Sequence, residues 1–190
     1  MHSPLEIAKN FVEIGIHKVR MSALKMLALG IFAGIYIAFA GIASTTSSAT
    51  IQNASVARLV SACVFPAGMA MVLIAGSELF TGNNLVMAFG AFDKKISWGD
   101  AAKVWVVSYI GNFVGCLILS LIFVWAGASG TADYFAGFIN GKLSIPAGQM
   151  FFRAVLCNFF VCLGVLCGMK LKSDAGRFLM IVMCISGFVV

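Results

Sequence analysis

The stretch GSELFTGNN, from Gly76 to Asn84, interrupts an apolar run that extends from Leu59 to Phe92. The run is longer than the roughly 20 residues that one membrane crossing requires. Its interruption places a carboxylate and several hydroxyl and amide side chains where the neighbouring residues are suited to lipid. Irregular backbone at membrane depth leaves N–H and C=O groups unpaired, and it is tolerated only inside protein or beside a water-filled cavity. The stretch therefore predicts a broken helix, longer before the break than after it, beside a solute pathway.

The composition of the chain is that of a polytopic membrane protein. Hydrophobic residues make up 61% of the 190 residues and charged residues only 11%, which is far from the composition of soluble domains. Further apolar runs extend from Leu24 to Ala43, Val104 to Ala126, Ala147 to Met169 and, more briefly, Phe178 to Val190. We predict an all-α fold that forms a single membrane domain over residues 1–190. It consists of an N-terminal amphipathic cytoplasmic helix in 1–22 and a transmembrane bundle in 23–190.

Basic residues lie mainly on one side of the predicted bundle. Lysine and arginine near helix ends are retained on the cytoplasmic side of a membrane. The larger group comprises Lys9, Lys18, Arg20, Lys25, Lys94, Lys95, Lys103, Lys170, Lys172 and Arg177. The opposite group comprises Arg58, Lys142 and Arg153. We therefore expect a multi-pass protein of the cell membrane with a cytoplasmic N-terminus. The same asymmetry accounts for the net charge of +6 without a nucleic-acid partner.

The N-terminal segment carries the start signal of a helix. Ser3 is suited to the N-cap, Pro4 to the first helical position, and Glu6 to the residue that completes a capping box. The apolar face that follows is formed by Leu5, Ala8, Val12, Ile16 and Val19. We expect this helix to lie on the membrane surface or to pack under the bundle.

The cysteines indicate neither a metal site nor a redox site. All six lie within apolar runs, where a thiol behaves as a small hydrophobic side chain. Cys157, Cys162 and Cys167 are spaced so that successive members are about 140° apart on a helix, and they therefore share no face on which to bind a metal. No metal and no cofactor are predicted.

The chemistry of the interruption favours a small anion as the solute. N–H groups at a helix N-terminus carry partial positive charge, and the Thr81 hydroxyl can both donate and accept a hydrogen bond. A Glu78 carboxylate facing the pathway would repel anions. We therefore expect Glu78 to accept bonds from loop amides or neighbouring side chains and to hold the break in shape. The alternative is a polar kink that serves packing alone.

Two amide side chains lie within other spans. Asn112 falls in GNFVG, Gly111 to Gly115, a spacing typical of helix packing in lipid, and the first span carries Gly30 and Gly34 for the same kind of close approach. Asn158 lies in the fourth span. An amide inside the membrane needs a partner on a neighbouring helix or a water-filled cavity. For both asparagines, structural hydrogen bonding and pore lining remain open.

Several segments together resemble one family. GSELFTGN after a broken helix, GNFVG in the third span, CNFFVCLGV in the fourth and FLMIVMCISGFVV at the end are similar in order and spacing to the formate/nitrite transporter family, which includes hydrosulfide channels. The similarity covers essentially the whole chain. It implies a homopentamer without enzymatic activity, built from aquaporin-like six-helix inverted-repeat subunits. Each subunit would hold its own pore, with helices two and five broken.

The resemblance also implies roles for individual residues. The outer narrowing of the pore would be formed by Phe65, Met69 and Phe188. The inner constriction would be formed by Leu79 and Phe80. The loop of the break would be shaped by Gly76, Glu78, Gly82 and Asn83. Thr81 would lie beside the inner constriction, and Asn158 would face the pore from helix four.

Lys142, in the connection from Gly127 to Pro146, matches a lysine that the family places by the outer approach to the pore; the alternative is a solvated loop cation. A cation there would raise the local concentration of monovalent anions. The family also has a histidine in the break of helix five, within an SGFEHS-like sequence, and neither His2 nor His17 replaces it. We expect the natural protein to continue past Val190 through that histidine and a sixth helix.

The expected function is passive, pH-dependent permeation of a small monovalent anion, with formate favoured and hydrosulfide or nitrite close behind. A constriction of low dielectric constant destabilises an anion more than its neutral acid, so protonation on the way would favour passage. One alternative is a neutral-solute channel of the water or glycerol type. Another is a membrane-anchor subunit of an oxidoreductase, against which the absence of histidine from the spans argues, because axial haem ligation commonly uses one.

Overall fold

The computed structural model describes residues 3–127, 130 and 132–189, and the regular structure within them is helical. The helices are α1 (Pro4–Arg20), α2 (Ala23–Ser48), α3 (Ala54–Val64), α4 (Pro66–Ala75), α5 (Phe80–Phe92), α6 (Trp98–Trp125), α7 (Ala132–Leu143), α8 (Ala147–Lys170) and α9 (Asp174–Val189). Four helical segments are long and apolar enough to cross a membrane: Ala23–Ser48, Ala54–Ala75, Trp98–Trp125 and Ala147–Lys170. The predicted all-α membrane fold is confirmed. Residues 1–2, 128–129, 131 and 190 of the predicted domain lie outside the described residues.

Helices α2 and α6 pack backbone against backbone along a seam of glycines. These glycines are Gly30, Gly34, Gly111 and Gly115. A Cβ added to Gly34 would lie 2.1 Å from the Asn112 carbonyl oxygen, and one added to Gly115 would lie 2.0 Å from the carbonyl oxygen of Ile31. No side chain fits at such distances. The packing role that the sequence predicts for these glycines is therefore confirmed.

The second span is one continuous helix before the break and a separate helix after it. Helices α3 and α4 join through Phe65, whose φ of −56° and ψ of −37° are helical. Together they extend over the 22 residues of Ala54–Ala75. Helix α5, after the break, has 13 residues. The prediction of a longer first half and a shorter second half is confirmed.

Helix α1 packs under the bundle, against α5, α6 and α8. The predicted capping box is present, because the Glu6 N–H donates to Ser3 Oγ at 3.2 Å and the Ser3 N–H donates to Glu6 Oε2 at 3.3 Å. The buried residues of α1 are Ile7, Phe11 and Gly15. The predicted apolar face is confirmed in part: Ile16 and Val19 pack against a buried cluster, whereas Leu5 is 67% exposed. The buried face includes a glycine and, one turn later, Lys18, and neither is selected by a hydrophobic pattern.

The connection between α6 and α8 contains a helix that the sequence did not reveal. Helix α7 covers Ala132–Leu143, and none of its residues is buried. The Phe135 ring lies 5.9 Å from the ring of Phe123 on α6. Two glycines and an asparagine interrupt the apolar pattern of this segment. The loop expected around Lys142 is therefore corrected to the last turn of a helix.

Helices α8 and α9 pack with α4 and α5 around a shared apolar core. Its buried members are Ile7, Phe11, Met69, Val86, Val161, Val165, Ile181 and Ile185. The core joins both sides of the interrupted span to the last two helices, and the candidate site lies beside it.

Candidate functional site

The break between α4 and α5 begins at Gly76. Its φ of +70° lies in the left-handed region, which glycine adopts without steric cost, and it ends α4. The Ser77 N–H turns back to the Val72 carbonyl at 3.0 Å, which satisfies one of the last acceptors of that helix. The chain remains non-helical until Phe80, so Gly82 and Asn83, which were expected in the loop of the break, lie in the first turn of α5 instead.

Asn112 of α6 binds the break, the start of α5 and α2. Its Oδ1 accepts from the Phe80 N–H at 2.9 Å, and its Nδ2 donates at 2.9 Å to the carbonyl oxygens of both Glu78 and Gly30. One amide thus satisfies backbone groups at the start of α5, within the break and on α2. Of the two roles that the sequence left open for Asn112, the structure supports structural hydrogen bonding.

Glu78 forms a largely buried ion pair with Lys18 of α1. The Lys18 Nζ atom lies 2.6 Å from Oε1 and 2.5 Å from Oε2 of Glu78, whose side chain is 5% exposed. A carboxylate removed from water requires such a partner. The neighbouring side chain expected to donate to Glu78 is therefore Lys18, and the negative charge of the break is neutralised locally.

The first turn of α5 presents polar groups without partners. Among the residues that the structure describes, the N–H groups of Thr81 and Gly82 have no acceptor, and neither does Nδ2 of Asn83, a side chain that is 2% exposed. A Cβ added to Gly82 would meet nothing within 4 Å, so the turn is open on that side. Trp105 Nε1 donates to the Asn83 carbonyl at 3.3 Å. Free donors at a helix N-terminus are suited to a small anion.

A cavity of about 640 Å³ lies beside the break. Helices α1, α4, α5, α8 and α9 contribute to its wall. The predicted site residues in this wall are Met69, Leu79, Gly82 and Asn83. Its polar and charged residues also include Asn10, Lys18, Ser77, Asp174 and Arg177. Across residues 3–127, 130 and 132–189, no group of three or more His, Cys, Asp or Glu side chains is placed to hold a metal ion.

The predicted constriction residues separate into two groups. Phe65 and Phe188 meet edge to face, with ring centroids 6.0 Å apart, and both pack with Met69 and Leu79 on the apolar core. Phe80 instead contacts the tyrosine ring of α6, with centroids 5.4 Å apart, and it does not belong to the wall of the cavity. Phe65, Met69, Leu79 and Phe188 thus belong to one apolar cluster or pack against it, whereas Phe80 faces α6.

Asn158 on α8 takes part in hydrogen bonds that reach α5. Its Oδ1 accepts from Asn84 Nδ2 at 3.3 Å, and its Nδ2 donates to Cys162 Sγ at 3.6 Å. The Cys162 thiol in turn donates to the Thr81 carbonyl, with 3.8 Å between sulfur and oxygen. Thr81 and Asn158 are therefore linked, and both ends of the Asn158 amide have partners within the protein.

Lys142 lies in the last turn of α7 and is exposed. Its Nζ is 4.9 Å from the centroid of the Phe138 ring, which is a cation–π contact along the same helix. Within the part of the chain that the structure describes, no hydrogen bond or ion pair joins Lys142 to Thr81 or Asn158.

Sequence reasoning missed Lys18, Asn84 and Cys162 as residues of the site. Local signals existed for two of them. Cys162 follows Asn158 by four positions and so shares its helix face, and Asn84 belongs to the interrupting stretch itself. Lys18 lies one turn after Gly15 on α1. Because the burial of Gly15 is known only from the structure, the sequence carried no usable signal for Lys18.

The family model described as Formate/nitrite transporter matches residues 5–190 of the chain. The chain belongs to the formate/nitrite transporter family. A probable formate transporter of Methanothermobacter thermautotrophicus is 35% identical to it over 86% of this chain and 68% of that protein. The resemblance read from the sequence motifs is therefore confirmed.

Two solved structures share the fold. An FNT family ion channel has a TM-score of 0.89 at 27% identity, covering 97% of this chain and 76% of its own. A pentameric formate channel with formate bound has a TM-score of 0.78 at 26% identity, covering 88% of this chain and 68% of its own. These neighbours of the formate/nitrite transporter chain are channels. The present protein is likewise a multi-pass membrane channel rather than an enzyme. The alternative of a membrane-anchor subunit of an oxidoreductase is therefore set aside.

Proposed function

We propose that the protein conducts small monovalent anions, with formate as the favoured solute and hydrosulfide or nitrite close to it. The observation that carries this proposal is the broken helix beside the cavity. Free N–H groups at the start of α5 favour an anion, and the pairing of Glu78 with Lys18 removes the charge that would repel it. The similar proteins described as formate transporter and formate channel favour formate among the small anions.

Permeation in this proposal is passive and depends on pH. An anion loses its hydration at the apolar constrictions, and its neutral acid loses much less. The outer constriction is assigned to Phe65, Met69 and Phe188, and the inner one to Leu79 and Phe80. Polar groups beside the path come from Thr81 and Asn158, while Lys142 raises the local anion concentration at the outer approach.

The proposal extends to assembly and orientation. The chain forms one membrane domain over residues 1–190, with the helix of residues 1–22 on the cytoplasmic side, because basic residues predominate on that side. Five copies assemble in the lipid bilayer with a pore in each subunit, by analogy with the similar pentameric formate channel.

Flux into proteoliposomes tests the function. We expect entry of formate, nitrite and hydrosulfide above the rate in protein-free vesicles, and no such excess for glycerol. Thr81→Val keeps the shape of the side chain but removes its hydroxyl, and it should lower formate entry several-fold. Thr50→Val, at an exposed position after α2, is the matched control. Entry of all three anions at the protein-free rate would reject the proposal, and entry of glycerol as fast as formate would favour a neutral-solute channel.

A further inference from the structure

Three hydrogen bonds join four residues of α5 and α8, and the backbone of α5 closes the set into a ring. The α5–α8 ring consists of Thr81, Asn84, Asn158 and Cys162. We propose that Asn84 and Cys162 are positioning residues, which act through Asn158 and the Thr81 carbonyl to hold the first turn of α5 against α8. In this way they set the width of the passage at the break. The inference rests on the proposed function, in which Thr81 borders the path of the anion.

The geometry of the ring explains why its members act together. Asn158 and Cys162 lie one helical turn apart on α8, and Thr81 and Asn84 lie in the first turn and a half of α5. The Asn158 amide uses its oxygen for Asn84 and its nitrogen for Cys162, so it connects these two residues. All four residues are half-buried. The loss of the Asn84 or the Cys162 side chain therefore leaves a polar group of the Asn158 amide without its partner.

Other contacts fix different properties of the same turn. Asn112 binds the Phe80 N–H and so determines where α5 begins. Trp105 binds the Asn83 carbonyl from the side of α6. The ring is the set of hydrogen bonds that reaches Thr81 from α8. Its last contact uses a thiol, which is a weak donor with a long reach, so removal of Cys162 should loosen the turn without unfolding α5.

A looser first turn should admit larger anions. We expect Cys162→Ala and Asn84→Ala each to raise the ratio of acetate entry to formate entry, on the order of fivefold if one net hydrogen bond is lost. The double variant should resemble the larger single effect rather than the product of the two, because both act through one amide. Cys162→Ser keeps a donor with a shorter reach and should fall between wild type and Cys162→Ala. Cys167→Ala, on the same helix but outside the ring, should leave the ratio unchanged.

Hydrogen–deuterium exchange supplies a readout that does not depend on transport. Amides of residues 80–85 should exchange faster in Cys162→Ala and Asn84→Ala than in wild type and Cys167→Ala. An unchanged acetate-to-formate ratio in both ring variants, with formate entry intact, would overturn the inference even if exchange were faster, because the ring would then be structural alone. If the wild-type protein passes no anion, the proposed function fails, and unchanged exchange would separately reject the positioning role.

Discussion

The α2–α6 seam and the break between α4 and α5 are neighbours that are held together by different forces. The seam consists of glycine backbones in direct contact, with no space for a single Cβ at Gly34 or Gly115. The break consists of polar contacts, made by Asn112 and by the Lys18–Glu78 pair. Asn112 belongs to both regions, because its backbone lies in the seam and its side chain binds Glu78 in the break and Phe80 at the start of α5. The seam thus fixes the position of Asn112, and the polar contacts of the break depend on that position.

If close backbone packing alone holds the seam, a larger side chain at one of its glycines should cause the largest loss of stability. Gly115→Leu would place carbon atoms against the Ile31 carbonyl oxygen, where even a Cβ would lie 2.0 Å away. We expect a loss above about 4 kcal/mol in the free energy of unfolding, which few membrane proteins tolerate. Size-exclusion chromatography in detergent should show little monodisperse protein. Gly137→Leu on α7, where an added Cβ meets nothing within 4 Å, should behave as wild type, and a Gly115→Leu protein with an unchanged Tm would contradict the description of the seam.

The next largest effect should come from the residue that the two regions share. Asn112→Ala leaves a backbone N–H and two carbonyl groups without their side-chain partner. Each unpaired group costs about 1–3 kcal/mol, less where water enters, so we expect a total of about 3–5 kcal/mol. The measurement is the Tm in detergent, with Asn140→Ala on the exposed face of α7 as control. Equal Tm values for the two variants would show that Asn112 does not hold the break.

The Lys18–Glu78 ion pair should contribute less to stability than Asn112 does, but more to anion transport. Lys18→Met leaves the Glu78 carboxylate unpaired, and because Lys18 is partly exposed we expect a loss of about 1–3 kcal/mol, between the values of buried and surface pairs. Formate entry should also fall, since an uncompensated negative charge repels anions, and added salt should partly restore it. The double variant Lys18→Met with Glu78→Gln should recover both properties. Lys9→Met, on the exposed face of α1, is the control; a loss in the double variant as large as in Lys18→Met would contradict the charge argument.

The smallest effect should come from a residue outside both regions. Lys142→Gln removes an exposed cation from α7, and we expect formate entry to fall by about twofold at low salt and to be unchanged at high salt, because exposed charges are screened. Lys172→Gln, on the opposite side of the predicted bundle, is the control. The same salt dependence of formate entry in both variants would show that Lys142 is a solvated cation without a role in transport.

The sequence revealed what is local and missed what is distant. The break follows from the polar interruption of one apolar run, and the capping box of Ser3 and Glu6 and the seam glycines follow from spacing along one helix. The structure contains each of them. The partner of Glu78 was not predictable, because Lys18 lies 60 residues away and no pattern connects the two. Helix α7 was missed because glycines interrupt its pattern and no buried face marks it.

The same limit applies to the candidate site. A polar interruption predicted donors for an anion, and the free groups at the start of α5 agree with it. Which helix each polar side chain faces depends on packing, so Asn112 and Asn158 stayed ambiguous in the sequence. Their partners, on α2, α5 and the break, became visible only when the helices were placed together.

If the break serves as an anion path, the rate of formate entry into proteoliposomes should depend on the external pH. The rate in protein-free vesicles is subtracted at each pH, and glycerol entry is followed in parallel. We expect the protein-dependent rate of formate entry to rise as the external pH falls, since protonation removes the charge that the apolar constrictions disfavour, while glycerol entry stays at the protein-free rate. Formate entry that matches the protein-free rate, or that is independent of pH, would contradict the account.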